Sequence, residues 1–321
     1  MSIIYWNTSD LLAPWDQNSV LQGALSTLSP KDKPWDVHKL QSDEVSSLYA
    51  LSVYPEYGVR INDCARRLCF QLKPDENDCL QFKLSTAFFC RVRHCPVCQW
   101  RRSLKWRARL FQALPKIQKD YPTAKFIFLT LTVKNCPLEE LRETVSFLNK
   151  GFKRLSQLKV WPGLGWIKSL EVTRSKNGEA HPHFHCLLMV NSSYFAANYL
   201  KHEEWVKLWK RSLRLDYEPV VNVKLVKGDI HKSVCEVIKY SIKPSDIYSS
   251  VGWLEGLTKQ LHKTQAIAVG GVFRSYFQEV DENEDLINID DNLETDISKY
   301  PEVFFDWCKR HHLYLKNEAI T

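Results

Sequence analysis

Three histidines alternate with other residues in the segment His181-Pro182-His183-Phe184-His185. On a β-strand, residues two apart point to the same face, with their Cβ atoms about 6.8 Å apart, so two imidazoles can bind one ion. A straight strand holds His181 and His185 about twice that distance apart. We therefore expect His183 and His185 to bind a metal and His181 to contact substrate or support the ligands.

A carboxylate would complete a site for Mg²⁺ or Mn²⁺, and Glu171 on the preceding predicted strand is the candidate. Its position depends on the hairpin register. Glu171 shares a face with the histidines only if it lies opposite His183 or His185, which requires an odd-numbered loop. A two-residue Asn-Gly turn would instead place Glu171 opposite Phe184. The sequence leaves both registers open.

A second candidate group lies on a predicted helix from residue 229 to 243. Its apolar stripe carries Val234 and Ile238, whereas Glu236, Tyr240 and Lys243 project about 180° away. A carboxylate and a phenol therefore stand one turn apart. Exposed Glu-Tyr pairs are common, so this pair indicates chemistry only in combination with the histidine strand.

Ten cysteines occur in the chain, and six of them lie between Cys64 and Cys98. The spacing of Cys95 and Cys98 lets both thiolates reach one Zn²⁺ at about 2.3 Å, and Cys90 is close enough to join them. We expect Cys64 to be the fourth ligand; the alternatives are Cys69, Cys79 and His94. A redox-active CxxC motif is the competing interpretation. Four protein ligands would make the zinc site structural.

The segment that follows the cysteines is predicted to be a helix running to Pro115. It carries a run of cations suited to DNA phosphates: Arg101, Arg102, Lys105, Arg107 and Arg109. The alternative is an ordinary amphipathic helix with a hydrated face.

Charge is distributed unevenly along the chain. The net charge is +7, but residues 279 to 321 hold 12 acidic and 4 basic residues, which leaves +15 on residues 1 to 278. A positive body favours a polyanionic partner. The longest apolar run, residues 126 to 133, is too short to cross a bilayer, and the N-terminus lacks a leader pattern. We therefore expect a cytoplasmic protein without a membrane partner.

Hydrophobic periodicity predicts the order strand, helix, hairpin, helix, strand, helix after residue 125. This order indicates an α+β fold with a central, mainly antiparallel sheet flanked by helices and a small zinc-binding subdomain. We expect an N-terminal extension (1–55), a zinc-binding and basic-helix region (56–115), the main domain (116–278) and an acidic C-terminal tail (279–321).

These segments resemble the rolling-circle replication initiators of small bacterial plasmids, the HUH endonucleases with one catalytic tyrosine and a nearby glutamate. The similar segments are FLTLT (128–132), SLEVT (169–173), HPHFHCLL (181–188) and EVIKYSIK (236–243), in the family's order from about residue 45 to 275. NDCARRLCF and FFCRVRHCPVCQWRRS also resemble the family's cysteine-rich region, which favours Cys64 as a zinc ligand. Cys69, Cys79 and the acidic tail depart from the pattern.

The resemblance implies an HUH fold, which is ferredoxin-like, and a metal-dependent nickase that cuts origin DNA through a 5′-phosphotyrosine at Tyr240. Glu236 would activate water at termination, and Lys239 or Lys243 would favour the phenolate. Mn²⁺ or Mg²⁺ would be the catalytic ion and Zn²⁺ the structural one. The implied partners are the plasmid double-strand origin, single-stranded DNA, and the host helicase, polymerase and single-strand binding protein. Homo-oligomerisation stays open.

Two alternatives remain at this point. A single-strand transposase or relaxase shares the histidine motif, although Glu236 and the chain length argue against it. A non-catalytic, zinc-dependent DNA-binding regulator would use the histidines structurally. Should Tyr240 not be the nucleophile, the next candidates are Tyr194, Tyr199 and Tyr248.

Overall fold

The computed structural model describes residues 21–75, 77–196, 198–228, 244–277, 286–287 and 300–317, together with Ile230, Val234, Val237 and Ile238. Within this part of the chain, antiparallel sheets pack against helices, so the predicted α+β class is confirmed. The strands are β1 (Arg67–Pro74), β2 (Leu80–Ala87), β3 (Lys125–Thr132), β4 (Gly163–Arg174), β5 (Ala180–Val190), β6 (Val221–Leu225), β7 (Ile267–Gly271), β8 (Glu302–Cys308) and β9 (Leu313–Lys316).

The longer helices are α1 (Pro34–Ala50), α2 (Pro55–Asp63), α3 (Pro96–Asp120), α4 (Leu141–Leu155), α5 (His202–Leu213) and α6 (Val251–Gln260). Short helical turns lie at Leu25–Leu28, Pro30–Asp32, Leu138–Glu140, Ser192–Phe195, Pro244–Ile247 and Val272–Ser275.

The larger sheet has five strands in the order β6-β3-β5-β4-β7. One face packs on α4 and α5, where Phe152 and Trp209 are buried against Phe184 and Leu188 of β5. The other face packs on α3 through residues such as Leu187. Both faces of β3 are covered, which explains its continuous run of apolar and β-branched residues.

A helical pattern also explains α4. Its apolar residues recur three or four positions apart, from Leu141 to Leu155, so that one stripe faces the sheet. Glu143 lies in the first turn, where a carboxylate favours the positive end of the helix dipole. The helical segment after β3 therefore begins with the short turn Leu138–Glu140 and ends near Leu155.

The smaller sheet has the order β2-β1-β8-β9, so residues from the predicted acidic tail pair with the zinc-binding region. Phe305 and Trp307 are buried on β8, and Arg67 holds the Asp306 carboxylate with two hydrogen bonds of 2.7 and 2.9 Å. Residues 302–316 are thus part of the folded body. The net charge of residues 279–321, counted as one segment, did not indicate that buried side chains alternate with more exposed ones along β8.

Two further expectations differ from the structure. The helix α3 does not end at Pro115 but continues to Asp120, because Ile117 buries its side chain one turn beyond the proline. In the predicted N-terminal extension, α1 packs firmly, with Trp35, Val45 and Tyr49 buried. The predicted domain boundaries stay predictions. Among the described residues, no helix has the length and apolar character needed to cross a membrane.

Candidate metal centres and the segment beside them

The first candidate centre is formed by four cysteines from three separate parts of the chain. Cys64 follows α2, Cys90 follows β2, and Cys95 and Cys98 lie at the start of α3. All four are buried, with at most 2% of their surface exposed. The Sγ atom of Cys98 lies 3.6 Å from that of Cys64 and 3.7 Å from that of Cys90.

These distances fit a metal site. Four thiolates around a tetrahedral ion at 2.3 Å would have sulfurs about 3.8 Å apart. The cysteines are free thiols, and their ligand atoms all lie within 4.8 Å of one another. Hydrogen bonding to Cys90, and then to Cys95 and Cys98, raises the pKa of the Cys64 thiol well above its usual value. A bound cation is what would let all four sulfurs ionise together.

The helix α1 supports this cluster from one side. The Ser42 hydroxyl lies 3.7 Å from Cys95 Sγ and accepts a hydrogen bond of 3.3 Å from the Val97 amide. Of the alternative fourth ligands, Cys69 lies on β1, Cys79 is exposed, and His94 is buried outside the cluster. Burial lowers the pKa of His94 to about 3, so its imidazole is neutral.

The second candidate centre depends on the hairpin β4-β5. Arg174 pairs with Ala180, so the loop has five residues, 175–179, and the odd-numbered alternative is the observed one. The Ser175 amide donates to the Glu179 carbonyl, and Gly178 adopts φ +83°, in the left-handed region that glycine favours. Glu171 consequently lies directly opposite His183.

Glu171, His183 and His185 converge on one face of the sheet. Oε2 of Glu171 lies 2.8 Å from Nε2 of His185 and 3.5 Å from Nε2 of His183. Burial alone would raise the pKa of Glu171, but hydrogen bonds to His183 and His185 outweigh it and hold that pKa well below its usual value. The carboxylate is therefore ionised in the folded protein.

The second ring nitrogen of each histidine is also held. Nδ1 of His183 donates to the His181 carbonyl at 3.1 Å, which directs its Nε2 atom toward Glu171. Nδ1 of His185 lies 3.2 Å from the Thr130 hydroxyl, a group that can donate or accept. Such outer contacts orient histidine ligands at metal sites.

This donor set fits a divalent ion. Two imidazoles and one carboxylate are a known metal-binding combination that leaves coordination positions open. The side chains keep 8 to 13% of their surface exposed, so small groups can reach them from one side. His181 lies beside them, with its ring 5.0 Å from that of His183 and its Nδ1 2.8 Å from the Asn135 side chain. Its role as an outer contact or a substrate contact stays a prediction.

The predicted catalytic residues Glu236, Tyr240 and Lys243 lie outside the described residues, as does Lys239. Two neighbours are described. The Val237 carbonyl accepts a hydrogen bond from the Ser169 hydroxyl, and the Ile238 carbonyl accepts from Arg107. Ser169 shares a strand face with Glu171, two positions away. The chain at 237–238 is therefore held against the face that carries the Glu171 site.

Two of the alternative tyrosines are poorly placed for attack on a substrate. Tyr194 is buried, and its hydroxyl contacts the Trp205 indole nitrogen and the Leu200 carbonyl. Burial, and then Glu44, raises the pKa of Tyr248. Tyr199 is exposed over 55% of its surface.

The cationic helix is only partly available to DNA. Arg101 and Lys105 are buried, so the alternative of a hydrated face does not describe these two residues, and their predicted contact with DNA stays a prediction. Arg101 donates to the carbonyls of Leu286 and Ile287, partners that lie far away in sequence. Arg107 positions the Ile238 carbonyl, and Arg102 donates to the Arg91 carbonyl. Arg109 is half-buried.

Some residues at the site were not predicted. Thr130 lies opposite His185 on β3, and Ser169 lies two positions before Glu171 on β4. The period of two on β4 could have indicated Ser169, because it places residues 169 and 171 on one face. Thr130 required the β3-β5 register, which the sequence does not specify.

An antiparallel sheet with a two-histidine, one-glutamate centre, joined to a four-cysteine cluster, defines a protein with two candidate metal centres of different construction. Comparison with known proteins adds a family. Residues 81–315 match the family described as replication protein. The chain belongs to this family, and its resemblance to plasmid replication initiators is confirmed.

Individual relatives agree with the family match. The chain is 34% identical over 306 residues to a "Protein rep" of Streptococcus pneumoniae serotype 2, an alignment that covers 90% of this chain and 94% of the relative. It is also 34% identical over 282 residues to a "Protein rep" of Lentilactobacillus hilgardii, covering 82% and 88%. A "Replication protein" of Staphylococcus aureus is 29% identical over 223 residues, covering 63% and 95%. No solved structure matches the chain.

Proposed function

We propose that this replication protein nicks and rejoins one DNA strand at a plasmid origin and so starts rolling-circle replication in the cytoplasm. The observation that supports this most is the convergence of Glu171, His183 and His185 on one face of the sheet. Because replication proteins act on DNA, we propose that the substrate of this centre is a phosphodiester of the DNA backbone.

In this proposal, Glu171, His183 and His185 would hold Mn²⁺ or Mg²⁺, and the ion would supply positive charge beside the scissile phosphate. The Tyr240 hydroxyl attacks the phosphorus and forms a 5′-phosphotyrosine bond. The bond from phosphorus to the 3′-oxygen breaks, and that oxygen takes a proton to become a free 3′-hydroxyl. Tyrosine has a pKa near 10 in water, so Lys239 or Lys243 would favour the attacking phenolate.

Glu236 acts later in the cycle. As a general base it removes a proton from water, which then attacks the phosphorus and releases the 5′-phosphate from Tyr240. One tyrosine can therefore start replication, and a carboxylate can end it without a second tyrosine.

The described neighbours of the tyrosine support this arrangement. Ser169 anchors the Val237 carbonyl, and Val237 and Ile238 are fully buried. Tyr240 is three residues beyond Val237 in sequence, and Glu171 is two residues beyond Ser169 on the same strand face. An extended stretch of that length spans about 10 Å, so the phenol has the reach to approach the metal centre.

Zinc is the ion we propose for the four-cysteine cluster, in a structural role. Full burial and four sulfur ligands leave no position for substrate. The partners follow from the reaction: origin DNA and single-stranded DNA contact the protein, and the host helicase, polymerase and single-strand binding protein act on the nicked product.

A denaturing gel tests the proposal. Purified protein is incubated with Mn²⁺ and a labelled origin oligonucleotide, and we expect a covalent adduct in the wild type. Tyr240→Phe should give neither adduct nor nick, whereas Tyr199→Phe, a matched control at an exposed tyrosine, should behave as the wild type. Glu236→Ala should still nick but fail to release the DNA.

Two results would contradict the proposal. An adduct formed by Tyr240→Phe would exclude this residue as the nucleophile. A wild-type protein that binds the origin but leaves supercoiled plasmid intact with Mn²⁺ would favour the non-catalytic regulator instead.

A further inference from the structure

A groove of about 540 Å³ lies between the loop before α3, at residues 91–94, and the turn after α6, at residues 262–265. Its lining is strongly cationic, and none of the residues that line it, all within the described part of the chain, carries a carboxylate. The cationic side chains belong to Arg60, Arg91, Arg93, Arg102 and Lys263. His94 and His262 also contribute to the wall.

Backbone carbonyls fix the positions of three of these guanidinium groups. Arg60 donates to the Cys90 carbonyl at 2.6 Å, Arg93 to the Thr264 carbonyl at 2.6 Å, and Arg102 to the Arg91 carbonyl at 3.0 Å. The Arg60 and Arg102 bonds hold the segment that begins at Cys90, and the Arg93 bond joins this segment to the turn after α6. The two walls of the groove are therefore tied together.

Two of the exposed cations in the groove stand on unusual backbone. Arg91 has φ +58° and Lys263 has φ +56°, and both residues are exposed. The left-handed region is strained for a residue with a side chain, and such conformations cluster at functional positions. Gathering like charges costs further free energy, which an anionic ligand would offset.

The groove leads toward the Glu171 centre. Its last lining residue, Gln265, precedes Ala266, whose carbonyl accepts a hydrogen bond of 2.8 Å from the Leu170 amide. Leu170 is the neighbour of Glu171 in the chain, and Ile267 pairs with Ser169. A ligand lying along the groove would thus extend to the sheet edge beside the strand that carries Glu171.

We infer that this groove binds the sugar-phosphate backbone of the DNA strand next to the cleavage position, with Arg91 and Lys263 as principal phosphate contacts. The inference rests on the proposed function for the identity of the strand. Repeating phosphates suit a groove whose fixed cations come from two walls, since each contact releases counterions from the DNA. The cationic surface for DNA lies here more than on the buried part of α3.

The test is the salt dependence of DNA binding. Binding of fluorescent origin oligonucleotide is measured by anisotropy from about 50 to 300 mM salt, using zinc-loaded protein with the Tyr240→Phe change and no added divalent ion. A plot of the logarithm of the binding constant against the logarithm of the salt concentration has a negative slope. Each lost phosphate contact should reduce the magnitude of this slope by about 0.7 to 0.9. The double variant Arg91→Ala, Lys263→Ala should therefore reduce the magnitude of the slope by about 1.5 and weaken binding several-fold.

The matched control is Lys150→Ala with Lys153→Ala. Both lysines are exposed on α4, which packs on the opposite face of the sheet. This pair should keep the affinity and the slope. Arg91→Lys should keep most of the slope, because the charge remains, so a loss in the alanine variant cannot be ascribed to misfolding of the loop.

An unchanged slope and affinity in the double groove variant, with its zinc retained, would overturn the inference. This outcome differs from failure of the proposed function. Because the binding assay uses protein that does not cleave, absence of nicking by the wild type would refute the cleavage proposal and leave the groove result standing.

Discussion

The two candidate metal centres are built in opposite ways. The four cysteines come from the end of α2, the end of β2 and the start of α3. The β1-β2 ladder and the bond from the Ala65 amide to the Phe88 carbonyl bring the first two places together, but none of the four cysteines lies on a strand. Glu171 and its histidines instead lie on neighbouring strands, where the β4-β5 hydrogen bonds fix them without a metal. A bound ion would therefore contribute more to holding the first centre together, whereas the strands themselves hold the second centre in place.

The two centres also differ in how far their side chains are exposed to solvent. The cysteines are closed off, with 0 to 2% of their surface exposed, whereas the side chains of the Glu171 centre keep 8 to 13%. A closed centre with four ligands suits a structural role, and an open centre with three suits catalysis.

The largest effect should come from Cys98→Ser. Losing one of four thiolates should release the ion and lower the free energy of unfolding on the order of 5 kcal/mol, because ion binding is coupled to folding. Metal content by mass spectrometry and urea unfolding measure both changes. Cys79→Ser, at an exposed cysteine outside the cluster, is the control. If Cys98→Ser lost its zinc but unfolded at the same urea concentration as the wild type, the ion would not stabilise the fold.

Glu171→Gln should separate binding from folding. The change keeps the shape of the side chain but removes its charge, so the affinity for Mn²⁺ measured by calorimetry should fall on the order of 100-fold. Zinc content and urea unfolding should stay as in the wild type. Glu179→Gln, in the loop of the same hairpin, should have no effect on either. A collapse of the fold in Glu171→Gln would contradict the view that the strands hold this centre.

The opposite face of the same strand gives a test by pH. Burial lowers the pKa of Lys168 to about 8, while Asn149 accepts its hydrogen bond at 2.6 Å. Between about pH 8 and the ordinary lysine pKa of 10.5, the unfolded chain binds more protons than the folded one, so this lysine makes stability rise with pH. Below pH 8 the cost of the buried charge is fully present.

Lys168→Met should therefore unfold at higher urea at pH 7, with a gain of about 2 kcal/mol that shrinks as the pH rises above 8. The exposed Lys150→Met should show no such pH-dependent difference. A gain for Lys168→Met that is constant from pH 7 to pH 10 would show that the charge of Lys168 is not the cause.

The smallest effect should come from Thr130→Val. This change removes the hydroxyl beside Nδ1 of His185 but keeps the ligand itself, so the Mn²⁺ affinity should fall about 10-fold. Thr86→Val, at an exposed position on β2, is the matched change in the other sheet and should leave Mn²⁺ binding unaltered. Equal affinities for Thr130→Val and the wild type would show that this contact does not orient the ligand.

Local patterns were enough to predict much of this arrangement. The period of two placed His183 and His185 on one face, and the spacing of Cys95 and Cys98 indicated a metal knuckle. The hairpin register was not determined, because Asn177 and Gly178 suit a two-residue turn as well as the observed five-residue loop. The bond from the Ser175 amide to the Glu179 carbonyl selects the longer loop, and no sequence pattern specifies it.

Non-local contacts account for the features that the sequence did not indicate. Arg101 looks like a DNA-binding cation in sequence, but its partners are carbonyls at residues 286 and 287. The strands β8 and β9 were assigned to an acidic tail because β1, the strand that pairs with β8, lies more than 200 residues earlier in the chain. Charge counted along the chain does not report which side chains the fold brings inside.

The most direct test of the proposed chemistry is to map the residue that carries DNA after reaction. Wild-type protein is incubated with Mn²⁺ and an origin oligonucleotide, digested with protease and nuclease, and analysed by tandem mass spectrometry. The account predicts a nucleotide linked through a 5′-phosphate to Tyr240. A nucleotide on Tyr194, Tyr199 or Tyr248, or cleaved DNA without any covalently modified peptide, would contradict it.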